Sequence, residues 1–194
     1  MTGFLDTWRA VDRSLFLMLN GDGGPVADTV FRAVSWSSTW IPLYLFLAWM
    51  ICRAVGWRRM LLAVALLALA VIVADQIANI FKYGAQKLRP THNPLLEGLV
   101  HTVGGYRGGL YGTVSAHAAS AMAVALFSSL FFRRRWVAVA MFAWALVVCY
   151  SRIYLGVHYP ADLLFGTLDG LLWGWIAYRL FVHLSARVKW RDNK

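Results

Sequence analysis

The sequence predicts an all-α fold in which the helices form a polytopic bundle within a membrane. Apolar residues make up 60% of the chain and charged residues 14%, whereas soluble domains average about 45–50% and about 25%. The apolar residues are gathered into five runs, and many of the basic residues lie in short clusters between them. These observations predict five transmembrane helices. Interfacial helices are predicted in the N-terminal segment before them, and six helices in all are possible.

The five runs set the boundaries of the predicted spans. Crossing the hydrocarbon core takes about 20 helical residues, so the shorter runs must extend into their flanks. The runs cover residues 40–52, 60–81, 116–132, 136–150 and 160–182. We therefore predict a transmembrane domain over 40–183, an N-terminal interfacial segment over 1–39 and a basic cytoplasmic tail over 184–194.

Residues 25–37 precede the first run and do not qualify as a sixth span. The stretch is too short, and it carries Asp28 and Arg32 one helical turn apart. An interfacial or packed helix is predicted there instead.

The formal net charge of +10 would suit a nucleic-acid-binding protein, but the basic residues do not line one polar face. They occupy joints between the runs, as the positive-inside rule describes for cytoplasmic loops. These clusters are Arg53, Arg58 and Arg59; Arg133, Arg134 and Arg135; and Arg179, Arg187, Lys189 and Arg191. The pattern argues against a nucleic-acid partner and places the loops 82–115 and 151–159 together on the outer side. It also places Cys52 and Cys149 near opposite faces, which argues against a disulfide.

The two outer loops hold further cations that the sorting rule does not explain. Most of these cations fall into three sequence blocks. An even number of membrane crossings separates the blocks, so all three reach the same face of the membrane. The blocks are KYGAQKLRP with Lys82 and Arg89, VSAHA with Ser115 and His117, and SRIYLGVHYPAD with Arg152, His158 and Asp162.

These blocks resemble the three signature motifs of the type 2 phosphatidic acid phosphatase (PAP2) superfamily. The family pattern is Lys, six residues and Arg-Pro; then Pro-Ser-Gly-His; then Ser-Arg, five residues, His, three residues and Asp. The first and third blocks match at every defined position. The middle block has Val114 in place of the proline and Ala116 in place of the glycine, but keeps Ser115 and His117. The resemblance extends over roughly residues 60–182 and implies a membrane-bound lipid phosphatase.

The cations of the blocks suit a phosphate site. A phosphoryl group in transfer spreads negative charge over its equatorial oxygens, so its site needs fixed cations and hydrogen-bond donors. We predict that Lys82, Arg89 and Arg152 bind the phosphate, the arginines through planar guanidinium groups. Ser115 stands where the third span begins and, as its N-cap, would offer a hydroxyl beside the positive helix end. The alternative for Lys82 and Arg89 is snorkelling toward lipid headgroups.

The histidines supply the chemistry that the resemblance implies. Asp162 lies in the first turn after Pro160 and can reach back to one ring nitrogen of His158, leaving the other free to attack phosphorus. We predict His158 as the nucleophile, forming a phosphohistidine, and Asp162 as the acid that orients it. His117 would protonate the leaving oxygen and then activate water. Without the family pattern, His158 and Asp162 would be interpreted as a structural pair at a helix start.

Asp75 lies within the second predicted span, where a carboxylate is costly. Asp75, Asn79 and Lys82 recur at spacings of four and three residues, which predicts one polar stripe along the helix. This stripe could link the buried acid to the phosphate site, and structural pairing of the carboxylate is the alternative. Asp75 is not predicted to be catalytic.

The stretch 91–112 between the first two blocks is long and rich in glycine. It could form a lid or a headgroup-recognition loop, in which His92, His101 and Arg107 would select the substrate. The alternative is a solvated connector whose glycines only permit tight turns.

No metal or other cofactor is predicted, because the histidines lack an accompanying set of carboxylates and the cations already supply positive charge. The predicted partners are a lipid phosphate or diphosphate and the surrounding membrane lipids; the sequence does not indicate an oligomeric state. Polyprenyl (undecaprenyl) diphosphate is our first choice of substrate, with phosphatidate, phosphatidylglycerophosphate and lipid A as alternatives. A hypothesis of another class is a non-catalytic lipid-binding or transport protein. We predict a bacterial inner-membrane protein whose active site faces the periplasm.

Overall fold

Seven α-helices make up most of the part of the chain that the computed structural model describes, residues 3–187. They are α1 (Phe4–Leu19), α2 (Gly24–Ser35), α3 (Ile41–Val55), α4 (Trp57–Ala85), α5 (Ala116–Phe132), α6 (Arg135–Tyr154) and α7 (Pro160–Arg187). Short 3₁₀ turns precede α3 and follow α4. The all-α prediction is confirmed, with one helix more than the six considered, because the N-terminal segment forms two.

Five of these helices stand where the sequence predicts spans; four cover their predicted runs completely, and α3 begins one residue after the start of its run. Within residues 3–187, three segments are long and apolar enough on their own to cross a membrane: Ser37–Val55, Trp57–Ala85 and Arg135–Tyr154. The helix α5 is apolar but has 17 residues, and α7 has 28 residues with Asp162 and Asp169 along it. The chain is an integral membrane protein built as a helical bundle.

Local sequence signals set the ends of several helices. Ser115 caps α5, since its hydroxyl accepts a hydrogen bond from the backbone N–H of Ala118 at 3.4 Å. This confirms the predicted N-cap. Pro160 takes the first position of α7, where its fixed φ fits and no N–H is needed. Gly56 joins α3 to α4 with a φ of +85°, a conformation that favours glycine.

The helix α5 packs against α4, α6 and α7 and lies at the centre of the bundle. Its contact with α7 is close because Gly166, Gly170 and Gly174 recur at every fourth residue of α7. A Cβ atom added at Gly170 would overlap the backbone oxygen of Ala119. These glycines therefore fix how near the two helices, and the loops that precede them, can approach.

The N-terminal helices contact the bundle through few side chains. Along α1, Asp12, Phe16 and Asn20 recur at every fourth residue and are 6%, 0% and 4% exposed, whereas most of α1 is exposed. On α2, Ser35 is buried and the helix packs against α6. Most of the stretch 25–37 thus lies in a packed helix, which is one of the two forms predicted for it, and the helix ends at Ser35.

The C-terminal helix α7 continues through Arg187 and so takes up the start of the predicted cytoplasmic tail. The rest of that tail, residues 188–194, lies outside the described residues, as do residues 1 and 2. Cys52 and Cys149 are both free, which agrees with the prediction that they form no disulfide.

Candidate active site

The three sequence blocks converge where α5 and α7 begin and where α4 and α6 end. The backbone N–H of Ser115 donates a hydrogen bond of 3.0 Å to the backbone oxygen of Asp162, which joins the second block directly to the third. Both residues are buried. The close packing of α5 on α7 makes this contact possible.

His158 and Asp162 form the pair that the sequence predicts. The Nδ1 atom of His158 lies 3.3 Å from Oδ2 of Asp162, and the two residues are 2% and 1% exposed. The same oxygen accepts a hydrogen bond of 3.1 Å from the backbone N–H of Tyr159. A carboxylate at Nδ1 places the ring proton there and leaves Nε2 with a free lone pair.

Arg89 lies against that free nitrogen. Its Nη1 atom is 3.5 Å from Nε2 of His158 and donates to the backbone oxygen of Val157 at 3.2 Å. Its Nε atom donates to the backbone oxygen of Tyr111 at 3.0 Å. The guanidinium group is therefore held by backbone carbonyls rather than by a carboxylate, so its charge stays available to an anion.

Two glycines of the loop 91–112 make room for Arg89. A Cβ atom at Gly112 would lie 2.9 Å from Cγ of Arg89 and 3.4 Å from Nδ1 of His158. One at Gly108, whose φ is +66°, would lie 3.1 Å from Nη1 of Arg89. Both glycines therefore let the loop backbone pack closely against the Arg89 side chain. They do more than permit tight turns.

Arg152 and His117 meet at Ser35 of α2. The Nη1 atom of Arg152 donates to the Ser35 hydroxyl, and the His117 ring forms a hydrogen bond with the Ser35 backbone. The Nε atom of Arg152 is buried and has no hydrogen-bond partner within the described residues. It is a donor that a phosphate oxygen would satisfy. Ser35 was not predicted, since nothing in its sequence neighbourhood marks it.

Lys82 approaches the site from the end of α4. Its Nζ atom donates to Oδ1 of Asn79 at 2.9 Å, and Nδ2 of Asn79 donates to Oδ2 of Asp75 at 3.1 Å. The predicted polar stripe along α4 is confirmed. The stripe orients the lysine through a neutral amide, which leaves its charge free to act on Arg89 and His158.

Positive charge dominates the electrostatics around His158. Burial, followed by the charges of Arg89 and Arg152, holds the pKa of His158 well below its ordinary value of 6.5. Burial and the charge of Arg152 likewise lower the pKa of Arg89. The imidazole is therefore neutral at physiological pH, which is the state that a nucleophile needs.

Comparison with known proteins identifies the family. A family model for the PAP2 superfamily matches residues 61–185. The chain belongs to the PAP2 superfamily. The resemblance in its sequence blocks is thereby confirmed, and the chain is a membrane phosphoester hydrolase. The non-catalytic hypothesis is not supported.

Relatives of this PAP2 phosphatase include two lipid A 4'-phosphatases. That of Bacteroides thetaiotaomicron is 35% identical over 92% of this chain and 80% of its own length. That of Porphyromonas gingivalis is 35% identical over 93% of this chain and 76% of its own length.

Two crystal structures share the fold of the PAP2 phosphatase. Aquifex aeolicus LpxE gives a TM-score of 0.65 at 21% identity, covering 87% of this chain and 95% of that chain. A PAP2-type phosphatidylglycerolphosphate phosphatase from Bacillus subtilis gives a TM-score of 0.67 at 21% identity, covering 97% and 90%. At this identity the likeness supports the architecture alone.

One charged residue beside the site of the PAP2 phosphatase lies outside the family pattern. Lys87 falls between Lys82 and Arg89, and its Nζ atom lies 2.9 Å from Oδ1 of Asp162 and 3.1 Å from Oδ2 of Asp12. Burial lowers the pKa of Lys87, but the two carboxylates outweigh it and leave the pKa above its ordinary value. The sequence marks Lys87 only as an unexplained cation in an outer loop, and Asp12 not at all.

His101 and Arg107, which are predicted for headgroup selection, are held by partners in α2 and in the loop 91–112. His101 pairs with Asp28 of α2, its Nε2 atom 3.0 Å from Oδ1. Arg107 donates to the backbone oxygen of Thr91 from Nε at 3.0 Å and from Nη2. Arg107, but not His101, lines a cavity of about 400 Å³ in the loop 91–112. Their selective role stays a prediction.

The residues described also include one group with metal-ligand atoms close together, Asp22, Asp28 and His101, within 4.8 Å of one another. His101 and Asp28 are already paired. None of the three belongs to the predicted catalytic set of the PAP2 phosphatase.

Proposed function

We propose that this PAP2 phosphatase hydrolyses the 4'-phosphate ester of lipid A at the outer face of a bacterial inner membrane. The observation that carries the substrate is the identity of 35% to two lipid A 4'-phosphatases over more than nine tenths of the chain. Polyprenyl diphosphate, the first choice from sequence, has no such support. The chemistry at phosphorus is the same for both, so the difference lies in the lipid.

The reaction begins at Nε2 of His158, which Asp162 keeps unprotonated by holding the proton at Nδ1. The lone pair of Nε2 attacks phosphorus, the P–O ester bond breaks, and His117 gives its proton to the leaving oxygen. Arg89 is 3.5 Å from the attacking nitrogen and would stabilise charge on the equatorial oxygens.

The second step regenerates the enzyme. A water molecule gives a proton to His117 and attacks the phosphohistidine, the P–N bond breaks, and inorganic phosphate leaves. Arg152 and Lys82 would bind phosphate oxygens in both steps, with Ser115 at the positive end of α5. No metal enters this sequence, because guanidinium and ammonium groups supply the positive charge.

Cavities beside His117 suit a lipid substrate. One of about 360 Å³ is bordered by His117 and by Asp75 of the polar stripe. It adjoins a second cavity of about 370 Å³, since Tyr44, Val71 and Ser120 line both. The second cavity is lined almost wholly by apolar side chains of α3, α4 and α5. An acyl chain lying there would hold its phosphorylated headgroup at the level of the histidines.

The deciding experiment offers purified enzyme in detergent a panel of lipid A, undecaprenyl diphosphate, phosphatidylglycerophosphate and phosphatidate. We expect phosphate release from lipid A to be fastest, with mass spectrometry locating the loss at the 4' position. His158→Ala should release none. Preference for the undecaprenyl lipid would overturn the substrate, whereas activity in His158→Ala would overturn the nucleophile.

Metal independence has its own test. We expect wild-type turnover to be unchanged by EDTA. Loss of turnover with EDTA and its recovery with a divalent ion would contradict the proposed chemistry.

The outward orientation is tested by labelling. Single cysteines in the loop 91–112 are treated with an impermeant thiol reagent on spheroplasts. Modification without membrane disruption is expected, and modification only after disruption would place the site in the cytoplasm.

A further inference from the structure

The helix α1 contacts the segment that carries His158. This helix lies outside the region matched by the family model. The side-chain amide of Asn20, the C-cap residue of α1, donates to the backbone oxygens of Ile153 and Tyr154, both at 2.9 Å. The Phe16 ring packs edge-on against the ring of Tyr159, with centroids 5.5 Å apart. The loop between α6 and α7 is thus fixed at both ends by one face of α1.

Asp12, on the same face, reaches the start of α7. Its Oδ1 atom accepts a hydrogen bond of 2.9 Å from the backbone N–H of Ala161, one of the free donors of a helix N-terminus. Its Oδ2 atom lies 3.1 Å from Nζ of Lys87. Lys87 lies 2.9 Å from Oδ1 of Asp162 on its other side. One lysine therefore bridges a carboxylate of α1 to the carboxylate that orients His158.

The two carboxylate oxygens of Asp162 have different partners. The Oδ2 atom faces His158 and the backbone N–H of Tyr159, whereas Oδ1 faces Lys87. Lys87 also lies over the Tyr159 ring, 4.3 Å from its centroid. Both ends of a buried carboxylate are consequently fixed, and rotation about its Cβ–Cγ bond would lose contacts on both sides.

We propose that Asp12 and Lys87 are positioning residues for the catalytic pair, so that α1 is part of the catalytic unit. Lys87 holds Asp162 ionised and in the rotamer that receives Nδ1–H of His158. Asp12 holds Lys87 in place and ties it to the start of α7. The inference rests on the proposed role of His158 as the nucleophile.

A purely structural ion pair would give a different result. If the bridge only fastens α1 to the bundle, its loss lowers stability but leaves the turnover of each folded molecule intact. If it positions Asp162, its loss lowers kcat while KM stays the same, because the phosphate ligands Arg89, Arg152 and Lys82 are untouched.

The test compares Lys87→Met, Lys87→Arg and Asp12→Asn in the full-length protein, with Asp6→Asn as the matched control. Asp6 is an exposed acid on the same helix. For each variant, kcat and KM are measured on the lipid that wild type hydrolyses best. The rates are expressed per mole of folded enzyme, which is the enzyme that shows a cooperative unfolding transition. His158→Ala is measured alongside.

We expect Lys87→Met to lower kcat about ten- to a hundredfold with KM within about twofold. Lys87→Arg should recover most of the loss, Asp12→Asn should lower kcat about tenfold, and Asp6→Asn should match wild type. The double variant of Asp12→Asn and Lys87→Met should be no slower than Lys87→Met alone, because Asp12 acts through Lys87.

Wild-type kcat in folded Lys87→Met and Asp12→Asn would overturn the positioning role. If Lys87→Met does not fold, the near-isosteric Asp12→Asn decides alone in the same way. An inactive His158→Ala beside fully active Lys87 and Asp12 variants would leave the proposed function standing and remove only this inference. An active His158→Ala would instead remove the proposed nucleophile.

Discussion

Nδ1 of His158 lies 3.3 Å from Oδ2 of Asp162, one helical turn away, and both side chains are enclosed by the bundle. The spacing of four residues brings them together because Pro160 starts α7 directly after the histidine segment. This contact determines which imidazole nitrogen is free, and its consequences can be measured.

Replacing the carboxylate should disable the nucleophile without removing it. In Asp162→Asn the amide can present its N–H to Nδ1, which moves the ring proton to Nε2 and occupies the attacking lone pair. We expect kcat to fall about ten-thousandfold, as it does when the acid of the Ser-His-Asp triad becomes an amide. Asp169→Asn, on the same helix, is the control and should keep wild-type kcat. A comparable kcat in the two variants would contradict the orienting role.

Gly112 should resist even a methyl group. A Cβ atom there would lie 2.9 Å from Cγ of Arg89, so Gly112→Ala must displace the guanidinium group or the loop. We expect kcat/KM to fall about tenfold, because a catalytic charge that moves by an ångström loses much of its effect. Gly109→Ala is the matched control, since nothing lies within 4 Å of its Cβ position. Equal kinetics for both variants would show that Arg89 tolerates displacement.

Gly170 should be essential for packing. An added methyl group would overlap the backbone oxygen of Ala119, so α5 and α7 would have to separate. We expect Gly170→Ala to lower the free energy of unfolding by about 1–3 kcal/mol, measured by thermal unfolding in detergent. Gly84→Ala, with open space at its Cβ position near the end of α4, should not destabilise the protein. A stabilised Gly170→Ala would mean that the helices are less closely packed than described.

Stability should fall as the solution is acidified. The pKa of His158 in the folded chain is well below 6.5 because of burial and the charges of Arg89 and Arg152. An unfolded chain takes up a proton on this residue as the pH falls through about 6.5, whereas the folded chain does not. The unfolded state then binds more protons, so the free energy of unfolding decreases by up to about 1.4 kcal/mol per pH unit below that point.

The pH dependence is checked by unfolding midpoints between pH 8 and pH 5 in detergent without phosphate. His158→Gln, which cannot titrate, should show a shallower dependence than wild type. Parallel curves for the two proteins would mean that His158 takes up its proton equally in the folded state.

Sequence alone was sufficient for features that depend on neighbours along the chain. The apolar runs located five helices, the polar stripe from Asp75 to Lys82 followed from helical spacing, and Ser115 was identified as an N-cap. The contact between His158 and Asp162 also depends on neighbours along the chain, because residues four positions apart at a helix start lie close together in any fold.

Tertiary packing decided the rest. Asp12 contacts Ala161 although 149 positions of sequence separate the two residues. Arg152 contacts Ser35 although 117 positions separate them. Whether Lys82 or Lys87 faces Asp162 depends on how α4 ends against α7, which no local pattern encodes. The sequence thus determined the five helices of the bundle, the family and the contact between His158 and Asp162, since these arise within a few turns of chain. The partners that hold that pair in place come from distant segments, because only the packed bundle brings their buried charges within reach of one another.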